Sequence, residues 1–283
     1  MNTFIDLHKQ MLFCLIAIGI FHTAAVLAEN PTMTLSSECT SLTASGNSEY
    51  PPFLWRQTHS SVQLQGINRF IIDEVSRRID IPIELIHVGA WSRVQTELKN
   101  GHVDLIAGAF YTNERAHYMD YFTPVMLHTN SVAWQQKNKP FPFTRKEDLE
   151  GKWGVTVINN SLGQAFDEYA RRRLNVLTVA SLSQALHMLA EDQVDYMLYE
   201  KNPANAYATM LNLSDVIAPV EPYLSSEGLY LTISKQSLCN TGGIKHRITM
   251  ALQQMKAEGF MDKALLEGIK MWGSEERIGQ AAE

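Results

Sequence analysis

The sequence carries no excess of positive charge and very little cysteine. Lys and Arg number 24 against 30 Asp and Glu, a formal net charge of −6. A chain of that sign sets up no basic field to attract nucleic acid, so a polyanionic polymer is a poor partner. Three cysteines occur in 283 residues. There is no CxxC pair, and the nine histidines never fall at i,i+3 or i,i+4 from another ligand in a convincing set, which argues against a metal. A GxSxG elbow, a P-loop and a GxGxxG loop are all missing, so covalent and phosphoryl chemistry have no motif to rest on and no cofactor is implied. Repeats of fixed period and low-complexity tracts are absent too. Beyond the N-terminal segment, no run is apolar for long enough to span a bilayer.

What is present begins with MNTFIDLHKQMLFCLIAIGIFHTAAVLAEN. Lys9 marks a short positive region, Met11 to Ile20 is apolar, and Val26-Leu27-Ala28 offers small or tolerated residues for cleavage. This reads as an export signal over residues 1–28, which places the mature protein in the periplasm. An uncleaved transmembrane anchor is the alternative, although the flank after Ala28 turns polar at once. Cys14 lies inside the apolar segment behind the bulky Phe13, unlike a lipobox cysteine. Cys39 and Cys239 then remain. An even count in an exported chain fits a disulfide, and two unpaired buried thiols fit the count as well.

The chain is 45% hydrophobic and 19% charged, ordinary globular composition, and long enough for one large or two small cores. INRFIIDEVSRRI, from Ile67, places Ile67, Phe70, Ile71, Val75 and Ile79 on one helical face. PIELIHV (82–88) reads as a short strand. WSRVQTELKNG reads as a helix with Trp91, Val94 and Leu98 on one side and Gly101 as its stop. VDLIAGAF (103–110) is nearly continuous in apolar residues, as a strand buried on both faces is. The polar, proline-bearing stretch 135–152 has the character of a domain boundary. A second alternation follows: strand WGVTVI (153–158), a helix over 163–173 ending in the solvated Arg171-Arg172-Arg173, strand NVLTV, helix SLSQALHMLAE and strand VDYMLYE (194–200). Ser181 and Gln184 have capping-box spacing. The strand GLYLTISK (228–235) and two helices close the chain. Alternating strands and helices point to an α/β fold with mostly parallel sheets.

Four segments in order resemble the periplasmic solute-binding proteins of the amino-acid type, family 3. Tyr50-Pro51-Pro52-Phe53 followed by Gly66 is similar to the family's Y-x-P-F…G-F opening. Trp91, Val94, Leu98, Gly101 and Asp104 are similar to W-x-x-L-x-x-x-L-x-x-G-x-x-D. Gly108 to Arg115 with Tyr121-Phe122-Thr123-Pro124 is similar to G-x-x-x-T-x-E-R…F-S-x-P-Y. Asp148-Leu149-x-Gly151-Lys152-x-Gly154-Val155, and later Val194 to Glu200, complete the set. The resemblance implies a two-lobe, type II periplasmic-binding fold with a hinged cleft. Lobe 1 would comprise residues 29–131 and 230–283, and lobe 2 residues 132–229. A Cys39–Cys239 bond would tie the two separated parts of lobe 1 together. The function implied is capture of a small amino-acid-like solute, by a monomer, for an inner-membrane ABC permease or a membrane sensor.

The resemblance also assigns roles. Arg115 would hold an α-carboxylate through two parallel bonds, the use for which a guanidinium fork is suited. Gly108, Phe110 and Thr112 would add backbone and hydroxyl contacts, and Ser161 would meet the carboxylate from the second lobe. Glu200, where the family usually has an aspartate, would receive the ammonium, while Tyr50 and Trp91 would pack on the ligand. Each residue also has a plainer reading. Arg115 would pair with Glu114 or Asp120 at the surface, Glu200 would be an exposed acid at a helix start, and the aromatics would be core. Two departures stand out: Gly66-Ile67-Asn68-Arg69 replaces the family's acidic G-F-D-x-D pattern, and the loop near Ser161 lacks its first glycine. Periplasmic cyclohexadienyl dehydratases resemble the same receptors, with a catalytic glutamate three residues beyond the ammonium-binding acid. Here that position is Pro203, which has no proton to move. His59, His87 and Glu49 are left as acid–base candidates with nothing to pair them.

Overall fold

The computed structural model describes residues 39–58 and 60–281; the proposed export signal and His59 lie outside the described residues. In chain order the elements are β1 (Leu42–Ser45), β2 (Glu49–Tyr50), β3 (Leu54–Arg56), β4 (Leu64–Gln65), α1 (Ile67–Ile79), β5 (Ile83–Leu85), α2 (Trp91–Lys99) and β6 (Leu105–Ala109). A 3-10 turn at Arg115–His117 leads to β7 (Met119–Tyr121) and β8 (Leu127–Gln136). Then come β9 (Trp153–Val157), α3 (Gln164–Arg173), β10 (Asn175–Val179), α4 (Leu182–Ala190), β11 (Tyr196–Glu200) and α5 (Lys201–Met210). The chain ends with β12 (Ile217–Ser234), α6 (Gly242–Ala257) and α7 (Phe260–Ala281).

The strands form two parallel blocks joined by two long antiparallel strands. The sheet runs β10-β9-β11-β8-β12-β6-β1-β5, with β7 also on β12. β1 pairs in parallel with β5 and β6, and β9 does so with β10 and β11. β8 and β12 lie antiparallel between the blocks. β12 pairs with β8 as far as Leu229, and from Tyr230 onward with β6. This is the two-lobe α/β fold, each half a largely parallel sheet flanked by helices. A small antiparallel sheet, β2-β3-β4, sits beside it.

Local sequence explains most of these elements. α1 buries Ile67, Ile71, Val75 and Ile79 as its period predicts, but Asn68 and Ile72 are buried as well and Phe70 only partly. The helix is covered on two sides, because α6 and α7 pack against it opposite the sheet. α2 buries Trp91, Val94 and Leu98, with Gln95 added. It stops at Gly101, whose φ of +77° favours glycine. At α4 the Ser181 hydroxyl accepts from Gln184 N at 3.1 Å, the expected cap. β6 lies between β1 and β12, which accounts for its unbroken apolar run.

The short strands β2, β3, β4 and β7, the long β8, and also β1 and the first half of β12 escape sequence reading. β1 is LTAS, too short and too rich in small polar residues to stand out, yet Leu42, Ala44 and Ser45 are buried in the sheet. β12 begins at Ile217, not at Gly228; its first half is exposed or half-buried, so no apolar alternation marks it.

Cys39 and Cys239 are joined by a disulfide, with Cα atoms 5.1 Å apart across a sequence separation of 200 residues. It fastens the segment before β1 to the segment between β12 and α6, both on the β5-β1-β6 side. Arg78 adds a second tie on that side, reaching Glu74 at 2.7 Å within α1 and Glu258 at 2.5 Å just past α6. Closing so long a loop removes conformational freedom mainly from the unfolded chain, worth about 2–5 kcal/mol. The double variant Cys39→Ser/Cys239→Ser is therefore expected to melt roughly 5–15 °C lower than the oxidised protein. Calorimetry giving equal melting temperatures would remove the bond from the stability account.

Candidate ligand-binding cleft

The site is built from the ends of three strands. At the end of β6, Gly108 has φ +113°, and a Cβ there would lie 2.9 Å from Asn68 Nδ2 and 3.1 Å from Leu229. The backbone turns where α1 and β12 crowd it, and only glycine fits. Four residues on from Gly108, the Thr112 hydroxyl accepts from Arg115 N at 3.1 Å and the Thr112 carbonyl from Ala116 N at 3.0 Å. This local bonding winds the 3-10 turn that turns Arg115 inward, where it is 5% exposed.

Among the described residues Arg115 makes no surface ion pair. Asp120 is held instead by Lys245 and Lys235, at 3.2 and 3.8 Å. The guanidinium donates from Nη1 to the Phe110 carbonyl at 3.1 Å and from Nη2 to the Asn159 carbonyl at 2.8 Å. Its Cζ lies 5.4 Å from the centroid of the Trp91 ring, within cation–π range. The neighbouring rings brace this arrangement: the Tyr121 hydroxyl donates to the same Phe110 carbonyl at 3.1 Å, and Tyr121 stacks between Tyr111 and Tyr230.

The Asn159 carbonyl, on the loop after β9, is the meeting point of the two lobes. Besides Arg115 it accepts from Trp91 Nε1 at 3.1 Å and Gln95 Nε2 at 3.2 Å. Asn159 adopts φ +59°, a left-handed conformation that asparagine tolerates better than most residues. Further bonds cross the cleft. Asn113 N donates to Gln164 Oε1 at 2.9 Å, Asn47 Nδ2 to the Tyr199 hydroxyl at 3.0 Å, and Leu182 N to Glu49 Oε2 at 2.7 Å. Glu49 thus serves the first turn of α4, and His87 stands 3.4 Å from Arg56 Nη1.

Glu200 ends β11 and immediately precedes α5. It is 2% exposed, so the exposed helix-start reading is overturned. Burial removes water from the carboxylate and raises its pKa to about 7, against the opposing pull of Asn160, Arg115 and Tyr50. Its Oε2, the Tyr50 hydroxyl and Asn160 Nδ2 are all buried without a hydrogen bond of normal geometry.

Two spaces meet at Arg115. The inner one has about 20 Å³, room for about one water. Arg115, Gly108, Phe110, Tyr50, Trp91 and Glu200 line it, all named by the sequence, together with Asn47, Asn68 and Asn160. Thr112 and Ser161 line an outer space instead. The Ser161 hydroxyl is bound to Asp167, whose other oxygen accepts from Leu162 N at 2.8 Å, so it belongs to the start of α3. Sequence reasoning gave no role to Asn68, whose Nδ2 donates to the Ala107 carbonyl at 2.7 Å while Oδ1 has no partner. A polar residue on the apolar face of α1 was the available signal. Gln95 and Asn159 left none, since their importance lies in a contact between lobes.

A buried, hydrogen-bonded cleft between two α/β lobes, joined by two continuous strands, defines a solute-binding type of protein. The chain belongs to the bacterial extracellular solute-binding proteins, family 3, which it matches over residues 42–267. No curated protein sequence matches it. Among solved structures it is similar to a histidine kinase sensor domain with similarity to periplasmic binding proteins. The TM-score is 0.68 at 18% identity, over 80% of this chain and 95% of that one. A mutant of ArgBP from T. maritima gives 0.68 at 18% identity, covering 82% and 96%. The amino acid ABC transporter substrate-binding protein AbpA from Streptococcus pneumoniae, bound to L-arginine, gives 0.68 at 16%, covering 82% and 96%. At these identities the likeness speaks to the fold. Among the described residues no helix is long and apolar enough to cross a membrane.

The raised pKa of Glu200 has a signed consequence. Between pH 4.5 and about 7 the folded protein holds a proton that the unfolded chain has released, so burial of Glu200 makes stability fall as pH rises through that window. The full effect above pH 7 is on the order of 3 kcal/mol. Glu200→Gln is expected to raise the melting temperature of the ligand-free protein at pH 8 and to change it little at pH 4.5. Equal shifts at both pH values would show that the carboxylate is not desolvated.

Proposed function

We propose that this protein captures a small amino-acid-like solute in the inner chamber and presents it, in the periplasm, to a membrane partner. That partner is an ABC-type permease or a membrane sensor, and the receptor acts as a monomer after removal of residues 1–28. The observation that carries this reading is the pairing of a buried guanidinium, Arg115, with a buried carboxyl group, Glu200, on the walls of one chamber without an ion pair between them. An isolated buried charge costs several kcal/mol, and a zwitterion supplies the missing partner for each. Arg115 takes the carboxylate, aided by the backbone at Gly108 and Phe110 and by the Thr112 turn. Glu200 takes the ammonium, and Tyr50 and Trp91 pack on the solute. Ser161 acts through the loop it anchors.

The inner chamber holds about one water, so the solute enters only when the lobes part. The lobes are taken as residues 29–131 with 230–283, and 132–229. Bending at β8 and β12, the strands common to both blocks, opens the cleft, and the solute favours closure by binding the closed form better. Pro203, buried in α5, stands where a dehydratase would need its acid, which favours binding over catalysis.

A thermal-shift screen of the mature protein against amino acids, polyamines and small acids tests the reading. A zwitterion at about 100 times its Kd stabilises by roughly 2.7 kcal/mol, several degrees in melting temperature. Arg115→Gln, which keeps part of the side chain's hydrogen bonding, is expected to weaken that ligand by about 30-fold or more. If no zwitterion shifts the protein, or the variant binds as tightly as the wild type, the assignment fails.

A further inference from the structure

The space on the outer side of Arg115 is far larger than the chamber that receives the solute. Its volume is about 600 Å³, inside the range of small-molecule sites. The Asn159 carbonyl, with the Trp91, Gln95 and Arg115 groups bonded to it, forms the wall between the two spaces. Both sides of the cleft line it: Lys99 and His117 come from α2 and the 3-10 turn, and Asp167 and Arg171 from α3. Lys99, His117 and Arg171 have no ion-pair partner among the described residues. Lys99 Nζ stands 5.9 Å from the centroid of the Tyr118 ring, a weak substitute for an anion.

Two acids also reach this space. Asp167 is consumed by the Ser161 hydroxyl and Leu162 N–H. Glu114 is exposed at the rim. The positive charges left without an ion-pair partner are Lys99 on one wall and Arg171 on the other, with the buried Arg115 behind them and the His117 ring beside Lys99's wall as a further hydrogen-bonding group.

We infer that this outer pocket is a second binding site, for a small polyanion with two or more carboxylate or phosphate groups, held between Lys99 and His117 on one wall and Arg171 on the other. Single exposed cations bind anions weakly, so the ligand must carry charge enough to engage both walls at once. Such a ligand bridges the lobes and stabilises their closed arrangement. The site is separate from the zwitterion chamber and stands whether or not that chamber is assigned correctly.

Citrate and pyrophosphate are the probes, one for each anion chemistry, with acetate as the monoanion. At about 1 mM, citrate or pyrophosphate is expected to raise the melting temperature of the mature protein by a few degrees while acetate does not. The shift is expected to shrink in about 0.5 M NaCl. By calorimetric titration, Lys99→Ala and Arg171→Ala are each expected to weaken binding by about fivefold to tenfold, consistent with loss of one partly screened charge contact. Lys263→Ala, on the exposed side of α7, should leave it unchanged. Absence of binding by both probes overturns the inference, as does binding that survives in the Lys99→Ala/Arg171→Ala double variant. A zwitterion screen read separately shows whether the inner chamber works, so the two failures are distinct.

Discussion

A guanidinium cannot shed its charge on burial, so wherever it goes the fold must bring acceptors to it. At Arg115 that demand organises the cleft. One acceptor, the Phe110 carbonyl, is local and comes from the same strand end that carries the arginine. The other, the Asn159 carbonyl, belongs to the opposite half of the molecule. Because Trp91 and Gln95 converge on the same oxygen, α2 is also oriented by it. The approach of the lobes, the left-handed backbone at Asn159 and the start of α2 are thus linked through a single main-chain group.

Glu200 poses the complementary problem. Its carboxylate lies at the end of a strand in which every residue is buried, with Tyr50 and Asn160 nearby and Arg115 across the chamber. Desolvation dominates and keeps the group near half-protonated at neutral pH. Buried polar atoms without a hydrogen bond of normal geometry, on Tyr50, Asn68, Asn160 and Glu200, belong to the same arrangement.

Much of the fold was legible where one physical signal dominated. The apolar run of β6 marks a strand covered on both faces, and the 3.6-residue period of α1 and α2 marks one buried side. Ser181 and Gly101 punctuate helices by capping and by positive φ. The elements that were hidden share a cause. β1 is buried by its position between β5 and β6, so small residues suffice, and the first half of β12 is ordered by its pairing with β8 although its side chains are mostly half-buried or exposed. In both cases the backbone ladder, not the side-chain pattern, makes the strand. Asn68 on α1 is buried because its amide reaches the Ala107 carbonyl on β6, a tertiary contact that periodicity does not show.

By itself the sequence determined the residue types that a solute receptor of this family needs: an arginine after a glycine-bearing strand, an acid at the end of a second strand, rings around both, and two cysteines. These are chemical identities, readable one position at a time. Only the tertiary structure decided which of them meet. It put Arg115 and Glu200 on one chamber, sent Ser161 to Asp167 and Thr112 to the turn, and brought Cys39 to Cys239 across 200 residues. The physical reason is that burial and hydrogen-bond partnership depend on distance through space. Here that distance is set by two long strands, β8 and β12, which join the two halves of the sheet.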